Sequence, residues 1–203
     1  MIKEYLSELF NNPICELEYK HDYELLLAVV MSAQTTDKRV NMVNKILFSK
    51  YKSIDDLVYA DIKDIENIIK PIGTYKKKAK FIKEIVIKLK DNNYIVPNNR
   101  KFLESLDGVG RKTASVFLSV IYNEPNIAVD THVTRVSKRL RLASEKDDVI
   151  KIEKKLKKYF DKVDWSAMHH RFVLFGRYYC KSINPICNDC KLKSICKYYK
   201  KNY

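Results

Sequence analysis

The sequence predicts an all-helical protein, and three observations carry that reading. The chain of 203 residues holds only four glycines, Gly73, Gly108, Gly110 and Gly176, where average usage would place about fourteen. Long Lys- and Glu-rich stretches repeat apolar residues at helical spacing. No alternating apolar–polar run closes on an Asn-Gly or Asp-Gly turn. The nearest candidate, Asp107-Gly108, runs on into Val109-Gly110 and a helical stretch.

The elements follow from caps and period. Asp22 is placed to cap a helix that enters the apolar run Leu25–Met31. Residues 37–50 form the next helix, with Val40, Val43, Ile46 and Leu47 expected on one face. Ser53 and Asp56 read as a capping box before Leu57 and Val58. Asp61 caps a short helix that stops near Pro71. Residues 75–90 set Ile82, Ile85, Val86 and Leu89 on one face and lysines on the other. Residues 99–106 and 111–122 make a helix pair around Gly108-Val109-Gly110, and 131–142 follow. Residues 147–161 carry Ile152, Leu156 and Phe160 at i, i+4 and i+8, and 165–179 lead into a cysteine cluster. The lysine stripes read mainly as solvated faces.

Charge narrows the function. Lys plus Arg is 39 against 25 Asp plus Glu, a net charge of +14, and only eight of the basic residues are Arg. That surplus points to a polyanion, nucleic acid before an anionic membrane surface. A hydrophobic fraction of 46% excludes disorder. The longest apolar run, Leu25–Met31, is seven residues, and a membrane span needs about 20. The opening Met1-Ile2-Lys3-Glu4 lacks a signal-peptide core. An intracellular protein with reduced thiols is therefore expected. Four of its five cysteines fall within 180–196, which reads as a metal site. Their pattern, C-x6-C-x2-C-x5-C, has one short pair where zinc sites usually have two. Four thiolates suit either a tetrahedral ion or an iron–sulfur cluster. Cys15, far from the others, reads as a small buried hydrophobe. His169 and His170 are adjacent on a helix, about 100° apart, so they read as packing residues.

The most informative segment is Leu106-Asp107-Gly108-Val109-Gly110-Arg111-Lys112-Thr113-Ala114. Glycines two apart between helices permit positive φ and close backbone approach. The amides at the following helix start suit a phosphate, and Arg111 and Lys112 add charge there. This stretch resembles the helix-hairpin-helix of the endonuclease III family of DNA glycosylases. Ile127-Ala128-Val129-Asp130-Thr131-His132-Val133 resembles that family's catalytic-aspartate segment, and Ser32-Ala33-Gln34-Thr35-Thr36-Asp37 its helix-end motif. The cysteine spacing resembles its [4Fe–4S] loop. The resemblance covers essentially the whole chain, in order.

It implies the following. The fold has two helical domains with a cleft between them: 15–124 with the hairpin, and 1–14 plus 125–203 with the cluster loop at 180–196. Lys112 is the nucleophile and Asp130 the carboxylate that stabilises positive charge at C1′. DNA contacts come from Gly108, Val109, Gly110, Arg111, Thr113, His132, Lys181, Lys191 and Lys193. Gln34 fills the gap left by the extruded nucleotide. A second wedge is expected at Thr74, where relatives often carry an apolar side chain, with Ile72 or Tyr75 as substitutes. Asp107 stands where proline is usual. Cys180, Cys187, Cys190 and Cys196 hold a structural [4Fe–4S] cluster. The implied activity is base excision repair: release of oxidised pyrimidines, then cleavage 3′ to the abasic site by β-elimination. The partner is double-stranded DNA bearing a damaged base or abasic site. A monomer is expected, cytoplasmic and nucleoid-associated, or nuclear or organellar in a eukaryote. The rivals are a monofunctional adenine or thymine mismatch glycosylase, a non-catalytic DNA-binding module, and an electron-transfer protein.

Overall fold

Twelve α-helices and one 3-10 turn make up the chain, with no strand. The computed structural model describes all 203 residues. Helices α1 to α12 are Ile2–Leu9, Asp22–Met31, Asp37–Lys50, Ile54–Tyr59, Ile62–Ile69, Tyr75–Asp91, Arg100–Glu104, Arg111–Ile121, Thr131–Arg139, Val149–Tyr159, Trp165–Tyr178 and Lys197–Asn202. They divide into two units, Glu16–Tyr122 and Met1–Cys15 with Asn123–Tyr203.

The first unit is built on α2 and α6. Every residue of α2 from Leu25 to Met31 is buried, so the helix is apolar all round, as a central helix must be. It packs against α3, α6 and α8, while α4 and α5 cover α6. Burying each of these large side chains contributes about 1.5–3 kcal/mol before ordering entropy is set against it. Asp22 turns out to be the first helical residue, with His21 at the cap. The carboxylate that closes this end is Glu24, which accepts the Lys20 amide at 2.6 Å. On α3 the buried stripe is Val40, Val43, Asn44 and Leu47, and Ile46 is 57% exposed. At 100° per residue Asn44 lies within the stripe and Ile46 outside it. Asn44 Nδ2 donates to the Glu18 carbonyl at 3.4 Å, while its buried Oδ1 has no hydrogen-bond partner. The Ser53–Asp56 capping box and the Asp61 cap form as expected.

In the second unit α1 and α9 pack on α11. Leu6, Val133, Val136, Ile152, Leu156, Phe172 and Phe175 fill its core. Helix α9 ends at Arg139, short of the expected 142. The amides of Leu142 and Ala143 both turn back to the Ser137 carbonyl, at 2.9 and 3.2 Å, and Arg141 takes a left-handed φ of 62°. Helix α10 starts after Asp148, whose Oδ1 accepts the Lys151 amide at 2.8 Å. Cys15 is half-buried rather than enclosed. His169 is buried, His170 half-buried, and their rings lie 5.0 Å apart.

Candidate active site and nucleic-acid interface

Helix α6 positions three loops of the first unit. Its N-cap is Thr74, in the left-handed region at φ 56°. The Thr74 hydroxyl donates to the Gly73 carbonyl at 2.7 Å. Ile72 is buried and cannot serve as the alternative wedge; Thr74 is exposed and Tyr75 partly so. One turn later Lys78 reaches the loop after α2. Its ammonium donates to the Met31 carbonyl at 2.7 Å, the Ala33 carbonyl at 2.8 Å and Thr35 Oγ1 at 3.1 Å. Gln34, between the last two, is exposed and left-handed at φ 56°. Burial pushes the Lys78 ammonium below the ordinary lysine range.

The third loop is the hairpin. Leu106 and Val109 are buried, and the Val109 amide donates to the Leu106 carbonyl at 3.0 Å. This turns the chain tightly and leaves Gly108 at φ 81°. A Cβ on Gly108 would lie 2.4 Å from the Phe81 ring of α6, so glycine is required on both counts. Gly110 is extended and caps α8 without a side chain. The first-turn amides of α8, with exposed Arg111 and Lys112, make a cationic helix start suited to a phosphate. Asp107 meets Glu84 of α6 through a hydrogen bond that raises the Glu84 carboxyl above the usual range.

In the second unit Asp130 caps α9, its Oδ1 accepting the Val133 amide at 2.8 Å. His132 is half-buried, with Nδ1 3.1 Å from Arg135 Nη2 and its Cβ against Gly176. Desolvation lowers the pKa of the ring. The same Arg135 nitrogen donates to the Gly176 carbonyl at 2.6 Å. His132 is thus built into the packing of α9 on α11. The later turns of α9 grip the cysteine loop. Arg135 Nε donates to the Cys180 carbonyl at 2.9 Å. Arg139 donates to Cys180 Sγ at 3.3 Å and the Lys181 carbonyl at 2.7 Å, and stacks on Tyr198.

Cys180, Cys187, Cys190 and Cys196 all line one small space, a cavity of about 20 Å³ that opens partly to solvent. No three His, Cys, Asp or Glu side chains come close enough to hold one metal ion. A single tetrahedral zinc, with bonds near 2.3 Å, would draw its thiolates to about 3.8 Å apart. Four thiols on one space are a donor set suited to a tetrahedral ion or an iron–sulfur cluster. Burial pushes the thiols of Cys180, Cys187 and Cys190 upward, and Arg139 opposes this at Cys180. Lys181, Lys191 and Lys193 are exposed on this loop. Lys191 pairs with Glu8 at 2.5 Å, but both partners are mostly exposed, so the pair is weak and exchangeable.

Residues 27–162 match the family model of the HhH-GPD superfamily base excision DNA repair proteins. The chain is 45% identical to endonuclease III of Bacillus subtilis (strain 168) over 193 residues, covering 95% of this chain and 88% of that protein. It is 42% identical to endonuclease III of Rickettsia prowazekii (strain Madrid E), covering 98% and 93%. The chain belongs to the endonuclease III family. Among solved structures, a trapped endonuclease III–DNA covalent intermediate superposes with a TM-score of 0.94 at 45% identity, covering 98% of this chain and 93% of that one. A thermostable thymine-DNA glycosylase shares the fold at a TM-score of 0.82 and 23% identity. Members of the endonuclease III family carry a [4Fe–4S] cluster, and the four cysteines of this chain line one shared space.

Two features of this member escaped the sequence reading. Lys78 belongs to the lysine set expected on the solvated face of α6, yet it is buried. It lies i−4, i−7 and i−8 from Ile82, Ile85 and Val86, on the apolar stripe, and that spacing was the available signal. The loop-gripping arginines of α9 left no signal, because their carbonyl partners are set by the fold alone.

Proposed function

We propose that this endonuclease III family member removes oxidised pyrimidines from DNA and then cuts the strand 3′ to the abasic site, with Lys112 as nucleophile. The observation that carries the proposal is the hairpin, where Gly108 and Gly110 deliver Lys112 at an exposed cationic helix start. The backbone amides and Arg111 hold a phosphate there. The neutral Lys112 amine attacks C1′ of the extruded nucleotide, and the C1′–N bond breaks as the base takes up a proton. Asp130 stabilises the positive charge that develops at C1′. Ring opening gives a Schiff base between Nζ and C1′, which acidifies the C2′ protons. Loss of one such proton and of the 3′ phosphate breaks the C3′–O bond. Water then releases the unsaturated aldehyde and regenerates the amine.

Gln34, exposed on a fixed loop, offers its amide to the base left without a partner, and Thr74 lies at the second insertion point. Lys181, Lys191 and Lys193 add phosphate contacts. Cys180, Cys187, Cys190 and Cys196 would hold a [4Fe–4S] cluster, which supplies a structural crosslink for this loop. The protein acts in the cytoplasm on double-stranded DNA. A duplex carrying one oxidised pyrimidine tests the reading: base loss coupled to strand scission supports it. Base release from mismatches without scission would favour the monofunctional alternative.

A further inference from the structure

Among the lysines and arginines Lys78 alone is buried, at 3% exposure. A buried ammonium is costly unless all three of its N–H donors find acceptors. Here they are matched by Met31 O, Ala33 O and Thr35 Oγ1. The first closes the C-terminal end of α2, where a cation is favoured. The other two flank Gln34. The Lys78 amide also donates to the Thr74 carbonyl at 3.1 Å, within the helix that opens at the second insertion loop. Gln34 and Thr74 both hold left-handed conformations that non-glycine residues adopt only when their surroundings impose them.

We propose that Lys78 is a positioning residue for damage recognition: it fixes residues 31–35 to the start of α6, so that Gln34 meets the orphaned base already in its inserting conformation. An apolar side chain would satisfy the core stripe formed with Ala79 and Ile82 equally well, but it would remove all three bonds that tie Met31, Ala33 and Thr35 to α6, leaving only the Thr35 hydroxyl on the Ala33 carbonyl and the Gln34 loop loose. Preorganisation of this kind acts on the lesion complex, where the amide is used, and not on undamaged DNA. The inference rests on the reading of Gln34 as the residue that fills the gap.

The test compares whole protein, with its cluster loaded, on two duplexes. One is intact; the other carries a tetrahydrofuran abasic analogue opposite 2-aminopurine. The measurements are the affinity ratio between the duplexes and the 2-aminopurine fluorescence change on binding. Lys78→Met should reduce the ratio about tenfold through lost charge-assisted bonds and should abolish the fluorescence change. Thr35→Val, which removes one acceptor, should reduce the ratio about two- to threefold. The double variant Gln34→Ala with Lys78→Met should be no worse than Gln34→Ala alone, because one acts through the other. Additive losses, equal loss on both duplexes, or a folded Lys78→Met with parental selectivity would overturn the inference. If Gln34→Ala leaves both readouts unchanged, the gap-filling reading fails and takes this inference with it. An effect of Gln34→Ala without one of Lys78→Met sinks only the role of Lys78. Should Lys78→Met fail to fold, Thr35→Val decides: parental selectivity refutes the positioning role.

Discussion

Replacing Gly108 by alanine should destabilise the hairpin for two separable reasons. The residue sits at φ 81°, where an L side chain meets the following carbonyl, a strain of about 1–2 kcal/mol. The added Cβ would also lie 2.4, 2.8 and 2.9 Å from three carbons of the Phe81 ring. Overpacking of that kind costs about 1–3 kcal/mol. The two together give about 2–5 kcal/mol, a large share of the 5–15 kcal/mol by which a typical domain is stable. Urea denaturation followed by far-ultraviolet circular dichroism reads the loss as a lower midpoint at unchanged slope. Adding Phe81→Ala to Gly108→Ala removes the ring from the clash but leaves the strained dihedral, so a deficit of about 1–2 kcal/mol should persist relative to Phe81→Ala alone. A Gly108→Ala variant within about 0.5 kcal/mol of the parent would refute the claim that backbone and ring jointly demand glycine.

Other outcomes follow from the same geometry. Asp130→Asn keeps a capping side chain, so stability should hold within about 0.5 kcal/mol while base release falls about 100-fold or more. Asp130→Ala should lose activity and also about 1 kcal/mol of stability, read by thermal melting. Arg111→Gln should weaken DNA binding and lower the slope of log affinity against log salt by about 1. Burial lowers the Lys78 pKa from 10.5, so the folded chain releases that proton before the unfolded chain does. Stability should therefore rise with pH through the window below 10.5. Lys78→Met should lack this component in denaturation series run across that range. Cys187→Ser should lose visible iron–sulfur absorption and loosen the loop, detected by limited proteolysis.

Much of the fold is legible in the sequence because local signals and burial agree there. Apolar spacing in 75–90 and in Ile152, Leu156 and Phe160 matches the buried faces of α6 and α10. The Ser53 and Asp61 caps are local chemistry and form as read. Misreadings occur where a polar residue takes an apolar position. Asn44 and Lys78 are buried because carbonyls left over at other elements need donors. Ile46 is exposed because a neighbouring polar residue has the better angle. Helix ends slip where distant amides converge on one carbonyl, as at Ser137. The hairpin is legible because glycine is the residue that its φ and its contact with Phe81 permit. Ile72 was open as a wedge in sequence, and only its burial removes it.

The central claim is that Lys112 forms a Schiff base with the sugar. Borohydride trapping on a duplex with one abasic site tests it most directly, comparing the parent, Lys112→Gln and Asp130→Asn. The account predicts a covalent protein–DNA adduct with the parent that disappears in Lys112→Gln, although that variant still binds the duplex. An adduct of undiminished yield in Lys112→Gln, or none from a parent protein that binds the duplex with its cluster intact, would contradict it.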